Sequence, residues 1–220
     1  MQIHMLTADL ALPAPVLVVA GNLFVRNRLQ SLLLQLGYSR DTLLMARSPQ
    51  EARSYMARGV FHSSSLALVE VGLSGGSGLD LIARLHRREP GLPILGVSAW
   101  SMEDVILAAL RAGAVGYVLQ DRDDLEIALA LQSVLRGGAF IDPFMARRLI
   151  EEWTAQASQA PGCSNAQALN AREACILRLV VDGLTNREIA EHLLLSRDAV
   201  ELHIKNIYQK LSVSLHTQAA

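Results

Sequence analysis

The stretch VLVVAGNLFVRNRLQSLLLQL, residues 16–36, sets the pattern for the first two thirds of the chain. A continuous apolar run, VLVVA, comes first, and residues 22–36 follow with apolar side chains at helical spacing. An apolar run without polar alternation is typical of a strand covered on both faces. The stretch therefore predicts a β-strand followed by an α-helix that packs back onto it.

Four more apolar runs repeat this pattern, and a helical pattern follows each of them. Five such units in series predict an α/β fold with a doubly wound, five-stranded parallel sheet. In these sheets ligands bind at the carboxyl ends of the strands. The further strands are predicted at residues 42–46, 66–70, 93–97 and 115–119, and the helices after them at 49–58, 79–88, 102–112 and 124–136.

Capping signals divide the last fifty residues into three helices. Asn170 and Thr185 each precede a glutamate by three residues, which is the spacing of a capping box. Ser196 is placed to cap a third helix, which is predicted to run to residue 211. The turn before this helix has only three residues, which favours an all-α helix-turn-helix domain.

The third helix is predicted to read DNA. A recognition helix presents the residues of its N-terminal turns to base edges in the major groove. Its lysines, Lys205 and Lys210, keep positive charge on this helix. The residues predicted to contact DNA, on this helix and at the start of the preceding one, are Arg187, Arg197, Asp198, Glu201, Leu202, Lys205 and Asn206.

Glu201 has two interpretations. A carboxylate that faces DNA accepts a hydrogen bond from the exocyclic amine of cytosine. Alternatively, Glu201 pairs with Lys205 one turn later, and an exposed pair at this spacing stabilises a helix by about 0.2–0.5 kcal/mol. The sequence leaves both interpretations open.

Composition excludes several classes of protein. Of the 220 residues 51% are hydrophobic, which excludes a disordered or fibrous chain. The 20 basic and 21 acidic residues give a net charge of −1, which excludes a uniformly basic nucleic-acid binder. No apolar run is long enough to predict a membrane span, and Cys163 and Cys175 have no metal-ligand spacing. We expect a cytoplasmic protein with no metal site and no cofactor.

The segment at residues 169–213 resembles the LuxR-type helix-turn-helix, and the five βα units before it resemble a receiver domain. Together they are similar to response regulators of the NarL/FixJ type. The resemblance implies a transcription regulator, not an enzyme, that binds double-stranded promoter DNA as a homodimer or with another regulator. It rests on Arg172-Glu173, Gly183, Thr185-Asn186, Glu188-Ile189-Ala190, Leu193, Ser196, Val200, His203, Asn206 and Lys210-Leu211.

The receiver departs from the family at its phosphorylation site. The resemblance implies two Mg²⁺-binding acids after the first strand, an acceptor aspartate after the third, a hydroxyl after the fourth and a lysine after the fifth. This chain has Ala20 and Gly21, Glu70, Ser98 and Gln120 at these positions. Phosphoryl transfer depends on the charges that are missing here. The sequence therefore predicts a degenerate receiver that acts independently of phosphorylation.

Two roles for Glu70 stay open. Its carboxylate either mimics a phosphorylated aspartate, with hydrogen bonds from Ser98 and Gln120, or is a tolerated polar group in an unused pocket. Tyr117 stands at a position that the resemblance implies is a switch-like aromatic. The small residues after the first strand also leave room for a small-molecule ligand that the sequence does not specify.

Four segments are predicted: a tail at 1–14, a degenerate receiver domain at 15–138, a linker helix and linker at 139–168, and the helix-turn-helix at 169–220 with a truncated fourth helix. From residue 165 onward, six basic and six acidic side chains cancel, which predicts weak nonspecific DNA binding. An alternative is therefore an interaction protein that heterodimerises with another regulator and binds DNA poorly alone.

Overall fold

The computed structural model describes residues 12–58, 66–73, 77–99, 102–136, 140, 146–147, 150–151 and 169–214. Contacts between Cα atoms divide the chain into two compact units, Met1–Gly137 and Gly138–Ala220. Most of the predicted tail, most of the linker helix, the linker after it and the fourth helix of the helix-turn-helix lie outside the described residues.

The first unit contains a parallel sheet, as predicted. Its strands pair in the order β2-β1-β3-β4-β5, and every pairing is parallel. The chain order reverses beside β1, so the crevice at the carboxyl ends of β1 and β3 is the usual ligand site of such a sheet. The strands are β1 (Val16–Val19), β2 (Leu43–Ala46), β3 (Leu66–Glu70), β4 (Ile94–Ser98) and β5 (Gly116–Leu119).

Four helices of this unit begin at polar caps, whereas the helix after β4 follows Met102, which makes no side-chain cap bond. Asn22, Ser48, Ser77 and Asp123 each accept a hydrogen bond from a backbone N–H of the first turn that follows. The first and last residues of these helices differ from the predicted ones by no more than one position, because a capping or terminal residue falls inside the helix in one case and outside it in the other. The helices are α1 (Leu23–Gln35), α2 (Pro49–Ala57), α3 (Gly78–Arg88), α4 (Glu103–Arg111) and α5 (Asp124–Leu135), with a 3-10 turn at Arg40–Thr42.

Burial follows the apolar runs of the sequence. Every residue of β1, β3, β4 and β5 is buried, whereas the edge strand β2 has two half-buried residues. Gly78, at the start of α3, lies so close to the end of β3 that a Cβ there would overlap the carbonyl oxygen of Glu70. The glycine therefore allows the helix to begin directly beside the carboxyl end of the sheet.

In residues 169–214 of the second unit, the structure describes three helices: α6 (Ala171–Val181), α7 (Asn186–Leu193) and α8 (Arg197–Ser214). Both predicted capping boxes are confirmed, at the starts of α6 and α7. Helix α8 runs past the predicted end at residue 211. Buried side chains join the three helices, and they include Ile176, Leu177, Ile189, Val200, Ile204 and Ile207.

Candidate functional site

The carboxyl end of the sheet brings together the residues predicted for the degenerate phosphorylation pocket. Ala20 and Gly21 directly follow β1, Glu70 ends β3, Ser98 ends β4, and Gln120 directly follows β5. Parallel strands end at the same edge, so residues that are up to 100 positions apart in the chain meet at one site.

The Glu70 carboxylate is the centre of this site. It is 9% exposed and accepts hydrogen bonds from the segment after β1 and from the segment after β5. Its Oε2 accepts the Gly21 N–H at 2.7 Å, with the Asn22 N–H farther away at 3.5 Å. Its Oε1 accepts the side-chain amide of Gln120 at 3.0 Å. Glu70 therefore links the loop after β1 to the loop after β5.

Tyr117 and Ser98 form a second buried pair. Tyr117 is 3% exposed and Ser98 is 1% exposed. Burial raises the pKa of the Tyr117 hydroxyl, and a side-chain hydrogen bond with Ser98 offsets part of that rise. This hydrogen bond joins the neighbouring strands β4 and β5.

Two arginines of α1 hold the loops around the pocket, and sequence reasoning missed both. The Arg26 guanidinium donates to the carbonyl oxygens of Ala20 and Gly21. The Arg28 guanidinium donates to the carbonyl oxygens of Gln120 and Arg122 and forms a 2.7 Å ion pair with Asp124. The only sequence signal was two basic residues on a helix that begins at the pocket.

Magnesium, which the resemblance implies, does not fit these residues. Mg²⁺ prefers oxygen ligands in octahedral geometry, and neither Ala20 nor Gly21 carries a side-chain oxygen. In the part of the chain that the structure describes, no group of three or more carboxylate, histidine or cysteine side chains is placed to hold a metal ion.

The exposed side of α8 carries two of the predicted DNA contacts. Asp198 and Leu202 lie one helical turn apart, and both are exposed, Leu202 to 58%. Asn206, one turn farther on, is half-buried. Lys205 lies on α8, but its side chain is outside what the structure describes.

The structure corrects one sequence interpretation of Glu201, that its carboxylate faces DNA. This residue is 1% exposed, so it does not lie on the exposed side of α8 with Asp198 and Leu202. Its Oε1 accepts the Nε–H of Arg197 at 2.9 Å, one turn back along the helix, and the Lys205 side chain is outside what the structure describes. Glu201 lies three residues before buried Ile204 and therefore shares the covered face of the helix.

Other basic side chains of the second unit are also paired. Lys210 forms a 2.7 Å ion pair with Glu173, whose side chain is 2% exposed. The positive charge of Lys210 was expected from the sequence to support DNA binding, and this pairing with a buried carboxylate corrects that expectation. Arg187, at the start of α7, pairs with Glu191 at 3.1 Å, but both of these side chains are well exposed.

Two family models match the chain. The response regulator receiver domain matches residues 16–132, and the bacterial regulatory proteins of the luxR family match residues 167–220. The chain is a response regulator of the NarL/FixJ type. It is accordingly a DNA-binding transcription regulator of the two-component kind.

Curated relatives cover most of this response regulator. The DNA-binding transcriptional activator DevR/DosR of Mycobacterium tuberculosis is 31% identical over 165 residues, which are 75% of each chain. The oxygen regulatory protein NreC of Staphylococcus carnosus is 32% identical over 155 residues, 69% of this chain and 71% of that protein. The transcriptional regulatory protein LnrK of Bacillus subtilis is 30% identical over 202 residues, 89% of this chain and 90% of that one.

Solved structures confirm the fold class of this response regulator. A structure of the RcsB response regulator from Salmonella typhimurium has a TM-score of 0.54 at 19% identity and covers 91% of this chain and 93% of its own. A CheY-like receiver domain from Methanospirillum hungatei has a TM-score of 0.51 at 20% identity and covers 58% of this chain and 96% of its own. No helix among the described residues is long and apolar enough to cross a membrane.

Proposed function

We propose that this response regulator controls transcription from promoter DNA with a receiver that works independently of phosphorylation. The observation that carries the proposal is the Glu70 carboxylate, which lies at the acceptor position and is bonded from Gly21 and Gln120. The protein acts in the cytoplasm on double-stranded DNA, without a cofactor, and its receiver contributes dimer contacts or senses a partner or small molecule.

The chemistry of the pocket supports the loss of phosphoryl transfer. A receiver must neutralise the negative charge that develops on the transferred group, and it does so with a metal ion and a cation. The positions after β1 have no carboxylate, and the position after β5 carries the neutral amide of Gln120. A carboxylate at Glu70 that already accepts hydrogen bonds at 2.7 and 3.0 Å is also a poorer nucleophile, because those bonds stabilise its charge.

The same contacts support the role of Glu70 as a permanent mimic of a phosphorylated aspartate. The longer side chain carries its negative charge one methylene farther from β3 than aspartate would. Hydrogen bonds from the backbone N–H of Gly21 and from the side-chain amide of Gln120 stabilise that charge. Tyr117 is buried beside Ser98 on the neighbouring strands. On this proposal the receiver stays in one active-like state.

A phosphodonor experiment tests the receiver part of the proposal. Intact-protein mass is measured after incubation with a small-molecule phosphodonor and Mg²⁺. We expect no mass increase. A stoichiometric phosphoryl adduct that maps to Glu70 would show that the site retains its chemistry.

DNA recognition is proposed for the exposed side of α8. Asp198, Leu202 and Lys205 would face the major groove there, with Asn206 farther along the helix. Arg187, at the exposed start of α7, would contact a phosphate. A two-fold dimer of such helices binds an inverted repeat. Selection from random duplex DNA with full-length protein at one stated salt concentration tests this, and an enriched inverted repeat is the expected result.

A second candidate is an interaction protein that binds DNA poorly alone and pairs with another regulator. The observation that favours it is the pairing of Arg197 and Lys210 with buried carboxylates, because phosphate neutralisation supplies most nonspecific affinity. Failure of the folded protein to enrich any sequence would favour this candidate over the first.

A further inference from the structure

Arg197 is the first residue of α8, where a recognition helix approaches DNA. Its Nε–H donates to Oε1 of Glu201 at 2.9 Å. The side chain of Glu201 is 2% exposed and that of Arg197 is 24% exposed. The basic residue nearest the DNA end of this helix is therefore bound to a carboxylate that is almost wholly covered.

We propose that Glu201 acts as an intrahelical counter-ion that withholds the Arg197 guanidinium from the DNA phosphates. Glu201 is then a positioning residue: it lowers DNA affinity through Arg197 and reads no base itself. This inference rests on the proposed DNA-reading function of α8. It adds that the Arg197–Glu201 ion pair lowers the affinity of this helix for DNA.

Because Glu201 is buried, it can compete with a DNA phosphate for the Arg197 guanidinium. An exposed pair is screened by water and salt and exchanges readily, so a phosphate can take over its arginine. Arg187 and Glu191 form such a pair, with side chains 81% and 66% exposed. The buried Glu201 carboxylate cannot be solvated in place of this contact. Moving Arg197 to a phosphate would therefore leave a buried charge without this counter-ion, which costs free energy.

The geometry of the helix agrees with this assignment. Positions 197 and 201 are one turn apart, so their side chains meet along one line of the helix surface. Glu201 lies beside the buried stripe of Val200 and Ile204, while Leu202 projects outward. The carboxylate is thus anchored on the covered side and draws Arg197 away from the exposed side.

The salt dependence of DNA binding tests the inference, because each phosphate that a cation neutralises contributes about −0.9 to the slope of log K against log salt. Three full-length proteins are compared on the same duplex: wild type, Glu201→Gln, and the double variant Arg197→Gln/Glu201→Gln. Wild type and the double variant should have equal slopes, because Arg197 reaches no phosphate in the first and is absent from the second.

The single variant Glu201→Gln should have a slope more negative by about 0.9 and bind about fivefold tighter near 0.15 M salt. Glutamine keeps the size of the side chain and an oxygen that accepts the Arg197 hydrogen bond. Circular dichroism is used to check that both variants keep the helical content of wild type. A double variant with a slope weaker than wild type by about 0.9 would overturn the inference, because Arg197 would then already neutralise a phosphate.

Glu191→Gln is the matched control, since it removes one negative charge from an exposed Arg–Glu pair at the same spacing. It should leave the salt slope unchanged, because Arg187 is already accessible to DNA. A slope change as large as that of Glu201→Gln would assign the effect to net charge and overturn the inference.

Failure of the proposed function gives a different result. A wild-type protein that enriches no sequence counts against sequence reading by α8 alone. The three slopes are then measured on nonspecific duplex at low salt, where a slope for Glu201→Gln that is steeper than those of both wild type and the double variant still supports the counter-ion. Equal slopes for these two variants would reject it.

Discussion

Glu70 shows how one substitution changes the character of a site. An extra methylene carries its carboxylate to the backbone N–H of Gly21 and to the amide of Gln120. The resemblance implies an aspartate at this position, and here the longer side chain of Glu70 lies between the segments after β1 and β5. The site therefore serves as a fixed link between two loops.

Replacing Glu70 with alanine should destabilise the receiver unit. The change leaves the half-buried Gly21 N–H and Gln120 amide without this acceptor, so the loss should lie toward the lower end of the about 1–3 kcal/mol that a buried unsatisfied donor costs. Chemical denaturation of the full chain, followed by hydrogen exchange at β1 and β3, measures the loss.

The matched control is Glu126→Ala, which removes a half-exposed carboxylate and should cost under about 1 kcal/mol. Promoter activity and oligomeric state that stay unchanged in Glu70→Ala would argue against the phosphate mimic.

Leu194 carries local backbone strain in the turn of the helix-turn-helix. It has a φ of 53°, in the left-handed region, and its side chain is 93% exposed. A left-handed conformation costs a non-glycine residue about 1–2 kcal/mol, and asparagine tolerates it better. We expect Leu194→Asn to raise the melting temperature of the helical unit by a few degrees. A lower melting temperature would mean that the leucine side chain contributes packing that outweighs the strain.

At the scale of elements, Glu173 couples two helices. Its Oε2 accepts the Asn170 N–H at 2.8 Å, which closes the capping box of α6, and also the Lys210 ammonium of α8 at 2.7 Å. One buried carboxylate thus stabilises the start of one helix and holds another against it. The contact explains why a lysine near the end of α8 is directed into the unit.

Lys210→Met should strongly destabilise the packing of α8 on α6. Removing one partner of a buried ion pair costs about 3–5 kcal/mol, because the other charge stays buried. Native-state hydrogen exchange at the α6 amides of the full chain measures the loss. The double variant Glu173→Gln/Lys210→Met removes both charges and should recover part of it. Equal losses in the single and double variants would show that the charge of Glu173 does not account for the effect.

At the scale of the whole molecule, the proposed independence from phosphorylation predicts that a phosphodonor does not switch the protein. We expect the oligomeric state and the DNA affinity of full-length protein to be the same with and without a small-molecule phosphodonor and Mg²⁺. Sedimentation and binding titrations measure both quantities. A positive control restores the family's residues in one protein, Ala20→Asp, Gly21→Asp, Glu70→Asp and Gln120→Lys, and this variant should respond to the phosphodonor. A response of the wild type would contradict the proposal.

Much of the fold was predictable because its signals are local. Continuous apolar runs predict covered strands, and cap residues such as Asn22 and Thr185 predict where helices begin. The parallel order then follows from the alternation of strands and helices. The sequence also placed Ala20, Glu70, Ser98 and Gln120 at one edge, because parallel strands share their carboxyl ends.

Side-chain partners were harder to predict, because they depend on how a helix is rotated and on which elements lie beside it. Helical spacing alone allowed Glu201 to face DNA, whereas the fold buries its side chain and pairs it with Arg197 one turn back. Ser98 bonds Tyr117 of the neighbouring strand, and Arg28 reaches the loop after β5 from the first helix. Composition and periodicity along the chain thus determined the elements and their order, whereas packing between distant elements chose the partner of each polar group, since a buried charge must be satisfied by whatever the fold brings next to it.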